Sequence, residues 1–382
     1  SPNRKMFESI LGTKYELSFK SVLLEITSFI HAYEPDILIH DWCTINDSQG
    51  RLFHQKYAQS SSSRDIFRMI VAPKVTPSMM AFAADTHIDK VIDVTSATLN
   101  LEMQLEILMN SSGHKEILNL IQIVKMKSGA YSQDSIDKKI EKIFEEFPYD
   151  ENVQIEMAHL NLRRDKIEKS KSQVEKVLKK NPVNLRAVNL LSRILMKEGK
   201  WQNANKLLKK SNEISPYNSE RLLLLGDSCF GAGDLDDAIS FYNDAISANP
   251  DVTDDAEQSI GKVMIAQGDL EEALNLIQKS ASEEEAAGYF NNAAVLSIKE
   301  KGDYKHAIKL YDMALKTLKT DKLKPKIYYN LALSYKKFGD LKEAIKFLKR
   351  ALKYNPKFTK AERYLNSINE MKVGDSESLY EN

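Results

Sequence analysis

Two rhythms of apolar residues divide the chain. Over the first 110 residues, short apolar runs alternate with longer segments of helical spacing. "KYELSF", "PDILIHDW", "IFRMIVAP" and "DKVIDV" read as strands: each is brief, rich in β-branched or aromatic residues, and bounded by turn formers. Between them, "NRKMFESILGT", "SVLLEITSFIHAYE", "GRLFHQKYAQ", "PSMMAFAADTHI" and "TSATLNLEMQLEILMN" carry apolar residues on one helical face. Pro77 suits a first turn. "SSSSRD" reads as a loop. Strands alternating with helices predict a parallel, doubly wound sheet. Beyond residue 110 the strands stop, and amphipathic helices follow in pairs.

The pairs repeat. Pro148, Pro182, Pro216 and Pro250 are spaced by 34, and Pro356 lies 106 beyond Pro250. "NPVN", "SPYN", "NPDV" and "NPKF" surround the last four of these prolines. Inside the period, Leu225-Gly226, Gly233-Asp234, Ala238, Tyr242 and Ala245 have counterparts in Leu331-Ala332, Gly339-Asp340, Ala344, Leu348 and Ala351. Weaker copies carry Leu191, Gly199 and Ala204, then Gly261, Gly268 and Ala273, then Gly302, Ala307, Tyr311 and Ala314. Small residues let two antiparallel helices approach, Gly-Asp turns between them, and proline ends the second helix. This pattern resembles the tetratricopeptide repeat. Repeats fall near 151–184, 185–218, 219–252, 253–284, 287–324 and 325–358. A divergent pair at 115–148 leads in. The fifth repeat reads as lengthened, its second helix running on through "KTLKTDKLKP". "FTKAERYLNSINEMK" at 358–372 reads as a capping helix, and residues 373–382 as a disordered acidic tail.

The resemblance implies an all-α, right-handed superhelix over residues 111–372, with six to seven hairpins and a concave surface that binds peptides or partner proteins. The first helix of each pair lines that surface in this family. Mapped so, the inward candidates are His159, Arg163, Arg186, Asn189, Arg193, Asp227, Phe230, Lys262, Asn292, Tyr329, Asn330 and Lys336. Asn can hold an extended peptide backbone by paired amide hydrogen bonds. Arg and Lys suit acidic segments or a terminal carboxylate. The two-carboxylate clamp of chaperone-binding members does not assemble from these residues.

Residues 1–110 resemble a response-regulator receiver, an α/β domain of the flavodoxin-like fold. The residues carrying the likeness are Asp41, at the end of "DILIHDW", and Gly50 beyond it. Asp41 stands where that family places its phosphoacceptor. Phosphoryl transfer to a carboxylate needs Mg²⁺, since the reacting groups are all anionic. The family's acid pair follows its first strand, whose place lies upstream of Ser1. The family's hydroxyl position falls on Ala72, and its lysine position on Val94. Thr76, Thr95 or Ser96 restore a hydroxyl if the register shifts, but Lys90 lies on the wrong side of its strand. The domain therefore reads as a pseudo-receiver, lacking the contacts that couple phosphate to a switch.

Composition narrows the picture. Lys plus Arg and Asp plus Glu number 54 each, so zero formal charge offers no electrostatic case for nucleic acid or an anionic membrane. Cys43 and Cys229 are the two cysteines, too few for a disulfide framework and outside any metal spacing. A reducing cytoplasm is the natural setting. No apolar run reaches the roughly 18 residues of a membrane span. The start, Ser1-Pro2-Asn3-Arg4, reads as a cut end. His31, His40, His54 and His87 show no metal-ligand spacing, and His40 and Asp41 point to opposite faces of a strand. "GAGDLDD" lacks the Lys-Ser/Thr of a phosphate loop and is explained by its repeat.

The expectation is a non-enzymatic bacterial signalling adaptor that needs no cofactor. Its receiver-like part would dock a signalling protein or self-associate, and its repeat groove would hold a protein or peptide. Motility, polarity or a two-component pathway follows by analogy. The alternative is a phosphorylation-switched regulator with Asp41 as acceptor, Mg²⁺ as its ion and the repeats as output.

Overall fold

A computed structural model describes residues 3–19, 28, 30, 32–42, 48–59, 66–86, 88–110 and 132–377. The chain forms two compact units, residues 1–252 and 253–382.

In the first unit, β1 (Ile37–Asp41), β2 (Phe67–Ala72) and β3 (Lys90–Asp93) form a parallel sheet in that order. Ile37 faces Phe67 across the first ladder, and Met69 faces Lys90 across the second. Helices α1 (Arg4–Leu11), α2 (Ser48–Gln59), α3 (Pro77–Asp85) and α4 (Val94–Asn110) accompany it. Apart from buried Arg68, the central strand, "FRMIVA", is apolar on both sides because both sides are covered. Met69 and Val71 meet Phe7 of α1 with Leu101 and Leu105 of α4. Ile70 and Ala72 meet Trp42 with Met79 and Phe82 of α3. Phe53 of α2 extends that second face with Ile30 and Ile66.

Two expectations change here. Residues 16–19 of "KYELSF" carry no strand. Tyr15, Leu17 and Phe19 alternate because they lie on the α1–α4 core, which requires one buried side and no ladder partner. The strand expected through Val94 stops at Asp93. That carboxylate accepts the Ser96 N–H at 2.9 Å and the Ser96 hydroxyl at 2.7 Å, starting α4. "SSSSRD", most of "SVLLEITSFIHAYE" and residues 115–131 of the lead-in pair lie outside the described residues.

The same unit carries the lead-in helix α5 (Gln133–Glu146) and three hairpins: α6 (Glu151–Arg163) with α7 (Ile167–Lys180), α8 (Leu185–Lys197) with α9 (Trp201–Ile214), and α10 (Ser219–Ala232) with α11 (Leu235–Ala248). Their first helices start 34 residues apart because each turn supplies a side-chain cap. Asp150, Asn184 and Asn218 accept backbone N–H groups of the helices they precede. Gly233 sits at φ 91°, a left-handed turn that glycine adopts without strain. Gly226 is fixed by contact: a Cβ there would collide with the ring of Tyr242. Gly226→Ala should therefore cost at least about 1 kcal/mol in a urea titration, since overpacking forces the helices apart.

The second unit contains α12 (Thr253–Gln267) with α13 (Leu270–Ser280), α14 (Glu283–Leu296) with α15 (Tyr304–Thr317), α16 (Lys324–Phe338) with α17 (Leu341–Tyr354), and the capping helix α18 (Thr359–Glu377). The fifth repeat begins at Glu283, not at 287, because Ser282 and Glu285 form a capping box. Its second helix does not run on: α15 ends at Thr317. Glu283 accepts the Lys319 N–H at 2.8 Å and the Thr320 N–H at 3.3 Å, turning residues 318–323 away from the helix, and Pro325 opens the next one. Other inserted residues form a π-helical turn, Ser297–Lys301, ahead of Gly302. The tail expected from 373 is helical through Glu377, and residues 378–382 lie outside the described residues. Packing of Ala361 and Ile368 nucleates α18, and each added residue then brings its own backbone bond, through Glu377.

Candidate partner-binding faces of the repeats

Asp41 stands at the C-terminal end of β1, where Asn3 binds it. The Asn3 backbone N–H donates to Asp41 Oδ2 at 3.1 Å, and Asn3 Nδ2 donates to Oδ1 at 2.8 Å. Ala72 is fully buried against Trp42 and Phe82. Val94 is the first residue of α4. The hydroxyls that a shifted register offers are used locally: Thr76 Oγ1 accepts the Met79 N–H, and Ser96 binds Asp93. Among the described residues no three His, Cys, Asp or Glu side chains are placed to hold a metal. His40 turns to the other face and meets His54, with Nδ1 and Nε2 3.0 Å apart. Cys229 is buried, which pushes its thiol pKa up, and Cys43 lies outside the described residues.

The α/β layer is mounted on the turn between the second and third repeats. Asp85, at the end of α3, meets Arg221 of α10, with Oδ1 2.6 Å from Nη2 and neither side chain exposed. Asp85 Oδ2 also accepts from Ser215 Oγ at 2.8 Å and Asn218 Nδ2 at 3.1 Å. Arg221 spends its remaining donors on the Ser215 carbonyl at 2.7 Å and Asn189 Oδ1 at 3.2 Å. Gln55 and Arg51 of α2 reach the same turn, at Ser215 Oγ and the Ile214 carbonyl. None of these contacts is visible in the sequence. One signal is: the position held by buried Val153 and Ala187 in the two preceding repeats holds Arg221.

The inward candidates of the first unit are largely satisfied within it. Arg186 donates to Asn152 at 2.8 Å and to Glu156 at 2.5 Å. Arg193 pairs with Glu220 at 3.1 Å, and Arg163 pairs with Asp137 at 2.7 Å. Asn189 is 2% exposed and accepts from Arg221. Asp227 accepts the Tyr242 hydroxyl at 2.8 Å inside its own hairpin. Phe230 is half-buried. His159 is half-buried as well, and burial lowers its pKa.

The second unit is built differently. Lys262 lies over the ring of Tyr289 and Lys336 over that of Tyr364, each at 4.7 Å. Neither lysine has an acidic partner among the described residues. Asn330 donates to Asn291 at 3.0 Å, joining α16 to α14, and Asn292 beside it is exposed. Tyr329 packs on Phe358 and Tyr364, with centroids 5.2 and 6.2 Å away. Sequence reasoning missed Tyr289, Asn291 and Tyr364. They complete pairs between neighbouring helices, which one repeat read alone does not reveal.

Paired helices with small residues at the crossings, capped at fixed intervals, define a helical-repeat protein. Residues 195–262 and 325–358 each match a tetratricopeptide repeat model, so the C-terminal region carries repeats of this family. A comparison with curated proteins finds no match. Among solved structures, MamA is similar at 22% identity and TM-score 0.27, over 53% of this chain and 96% of that one. PilF of Pseudomonas aeruginosa is similar at 17% and 0.37, over 57% and 97%. The APC/C hetero-tetramer Cut9–Hcn1 is similar at 17% and 0.44, over 84% and 63%. Among the described residues no helix is long and apolar enough to cross a membrane.

Proposed function

We propose that the chain is a non-enzymatic adaptor whose second unit binds an extended, acidic protein segment. One observation carries this reading: Lys262 and Lys336 lie over tyrosine rings without acidic partners, on either side of an Asn291–Asn330 amide pair. A cation over an aromatic face keeps its charge available to a carboxylate while its stem stays packed. The exposed amide of Asn292 suits a peptide backbone. In the first unit Arg186 and Arg193 already have carboxylates, so an acidic segment gains less there.

The α/β layer serves this adaptor as a receiver-like docking element without a phosphoryl switch. Three parallel strands in sequential order, with Asp41 at the end of the first, support the likeness. Ala72 and Val94 supply no group to bind phosphate. Cofactor-free work in a reducing cytoplasm, within a bacterial regulatory complex, belongs to the same reading.

The test uses an array of immobilised extended peptides, acidic, neutral and basic. The full chain should prefer the acidic ones. Asn330→Ala and Lys336→Ala should each weaken capture about tenfold, the size of a lost charge-assisted bond, while Arg193→Ala leaves it unchanged. Equal capture of acidic and basic peptides, or a loss confined to Arg193→Ala, rules the reading out.

A further inference from the structure

The outer helices of the first unit differ in net charge: on α7 and α9 lysines outnumber the exposed Glu168, Glu175 and Glu213. On α7 and α9 the exposed lysines Lys176, Lys180, Lys206, Lys209 and Lys210 join no ion pair among the described residues. The next outer helix, α11, reads "LDDAISFYNDAISA", without a single Lys or Arg. Its Asp237 and Asp244 are exposed and also unpaired among the described residues, and exposed Asp234 stands at its cap.

These blocks lie side by side. Glu198 binds Lys171 of α7 at 2.9 Å and Lys200, at the start of α9, at 2.5 Å, which ties those two helices together. A surface dent of about 300 Å³ is lined by Lys206, Lys209 and Lys210 on one side and by Ala232 and Asp234 on the other. The outer face therefore runs from basic to acidic within one unit.

A membrane surface needs apolar side chains to enter the interface, and neither α7 nor α9 exposes a large one. Nucleic acid is read largely through arginine forks, and the two helices contain no arginine. A second copy of the same face offers what this one lacks. Turned about a two-fold axis, the lysine block of each copy meets the aspartate block of the other, and a single patch makes both halves of the contact. The zero formal charge of the chain leaves no net repulsion between copies.

We propose that the α9–α11 outer face pairs with its counterpart in a second copy, lysine block on aspartate block. Sedimentation velocity of the full chain tests this. A dimer should dominate near about 20 mM salt and weaken about tenfold or more by about 500 mM, since exposed charges are screened over a few ångströms there. Lys206→Glu with Lys210→Glu should yield a monomer, and so should Asp237→Lys with Asp244→Lys. Both pairs are exposed, so circular dichroism should show unchanged folding. Mixing the two monomeric variants should restore a dimer, because one variant's reversed block again meets its opposite. A wild-type monomer at low salt overturns the proposal, as does a mixture that fails to pair. So does a monomer whose lysine block binds anionic vesicles or duplex DNA.

Discussion

Asp85→Ala should remove about 3–5 kcal/mol from the stability of the first unit, the usual loss when one partner of a buried ion pair is deleted. The carboxylate accepts three hydrogen bonds, from Arg221, Ser215 and Asn218, and neither charged side chain meets water. Without it Arg221 keeps only the Ser215 carbonyl and Asn189 to offset the burial of its charge. Arg221→Met alone should cost a similar amount by stranding Asp85. The double variant, Asp85→Ala with Arg221→Met, should cost clearly less than the two losses added together, because no buried charge then remains. Both tryptophans of the chain, Trp42 and Trp201, belong to this unit, so their fluorescence in urea reports its unfolding. A loss below about 1 kcal/mol for Asp85→Ala would mean that water reaches the pair.

Acid should also weaken the first unit, through His54. The ring is fully buried, and its pKa is held well below the usual value, first by burial and then by His40 and Arg68. Its Nδ1 finds no hydrogen-bond partner among the described residues, so the proton of the neutral ring sits best on Nε2, aimed at His40 Nδ1 3.0 Å away. The folded state holds His54 neutral, while the unfolded chain takes up its proton below about pH 6.5. Stability is therefore fully present above that pH and falls as the pH drops below it. His54→Phe keeps a ring in the core among Phe53, Phe82 and His40. Its unfolding free energy should depend less on pH between about 5 and 7. Equal slopes for the two proteins would show that His54 gains its proton without unfolding.

Much of the helical architecture is legible in the sequence. The starts of α6, α8 and α10 recur at Glu151, Leu185 and Ser219 because each is preceded by an Asp or Asn cap, and α12 starts in phase at Thr253 after a 3₁₀ turn. The strands of the α/β layer are legible for a similar reason: each is a short apolar run with covered faces. "KYELSF" misleads because alternation reports a buried side and says nothing of a hydrogen-bonded neighbour. The loop at 318–323 misleads because its backbone is held by Glu283, whose relevance depends on how α14 and α15 pack.

The binding faces divide in the same way. Which residue types stand on the first helices could be read from the period, and so could Tyr329, Asn330 and Lys336 as inward candidates. Which of the charges are already paired could not. Arg186 and Arg193 look like open cations until Glu156 and Glu220 come across from neighbouring helices. Lys262 and Lys336 look no different in sequence, yet they come to rest on tyrosines.

By itself the sequence determined the repeat, its turns and the paired helices, because those rest on contacts that every repeat makes again and that leave a period behind. Only the tertiary structure decided the mounting of the α/β layer through Asp85 and Arg221, 136 residues apart, and the pairing of each groove charge. Such a contact is made once, between distant segments, and the burial that gives it its strength leaves no period to read.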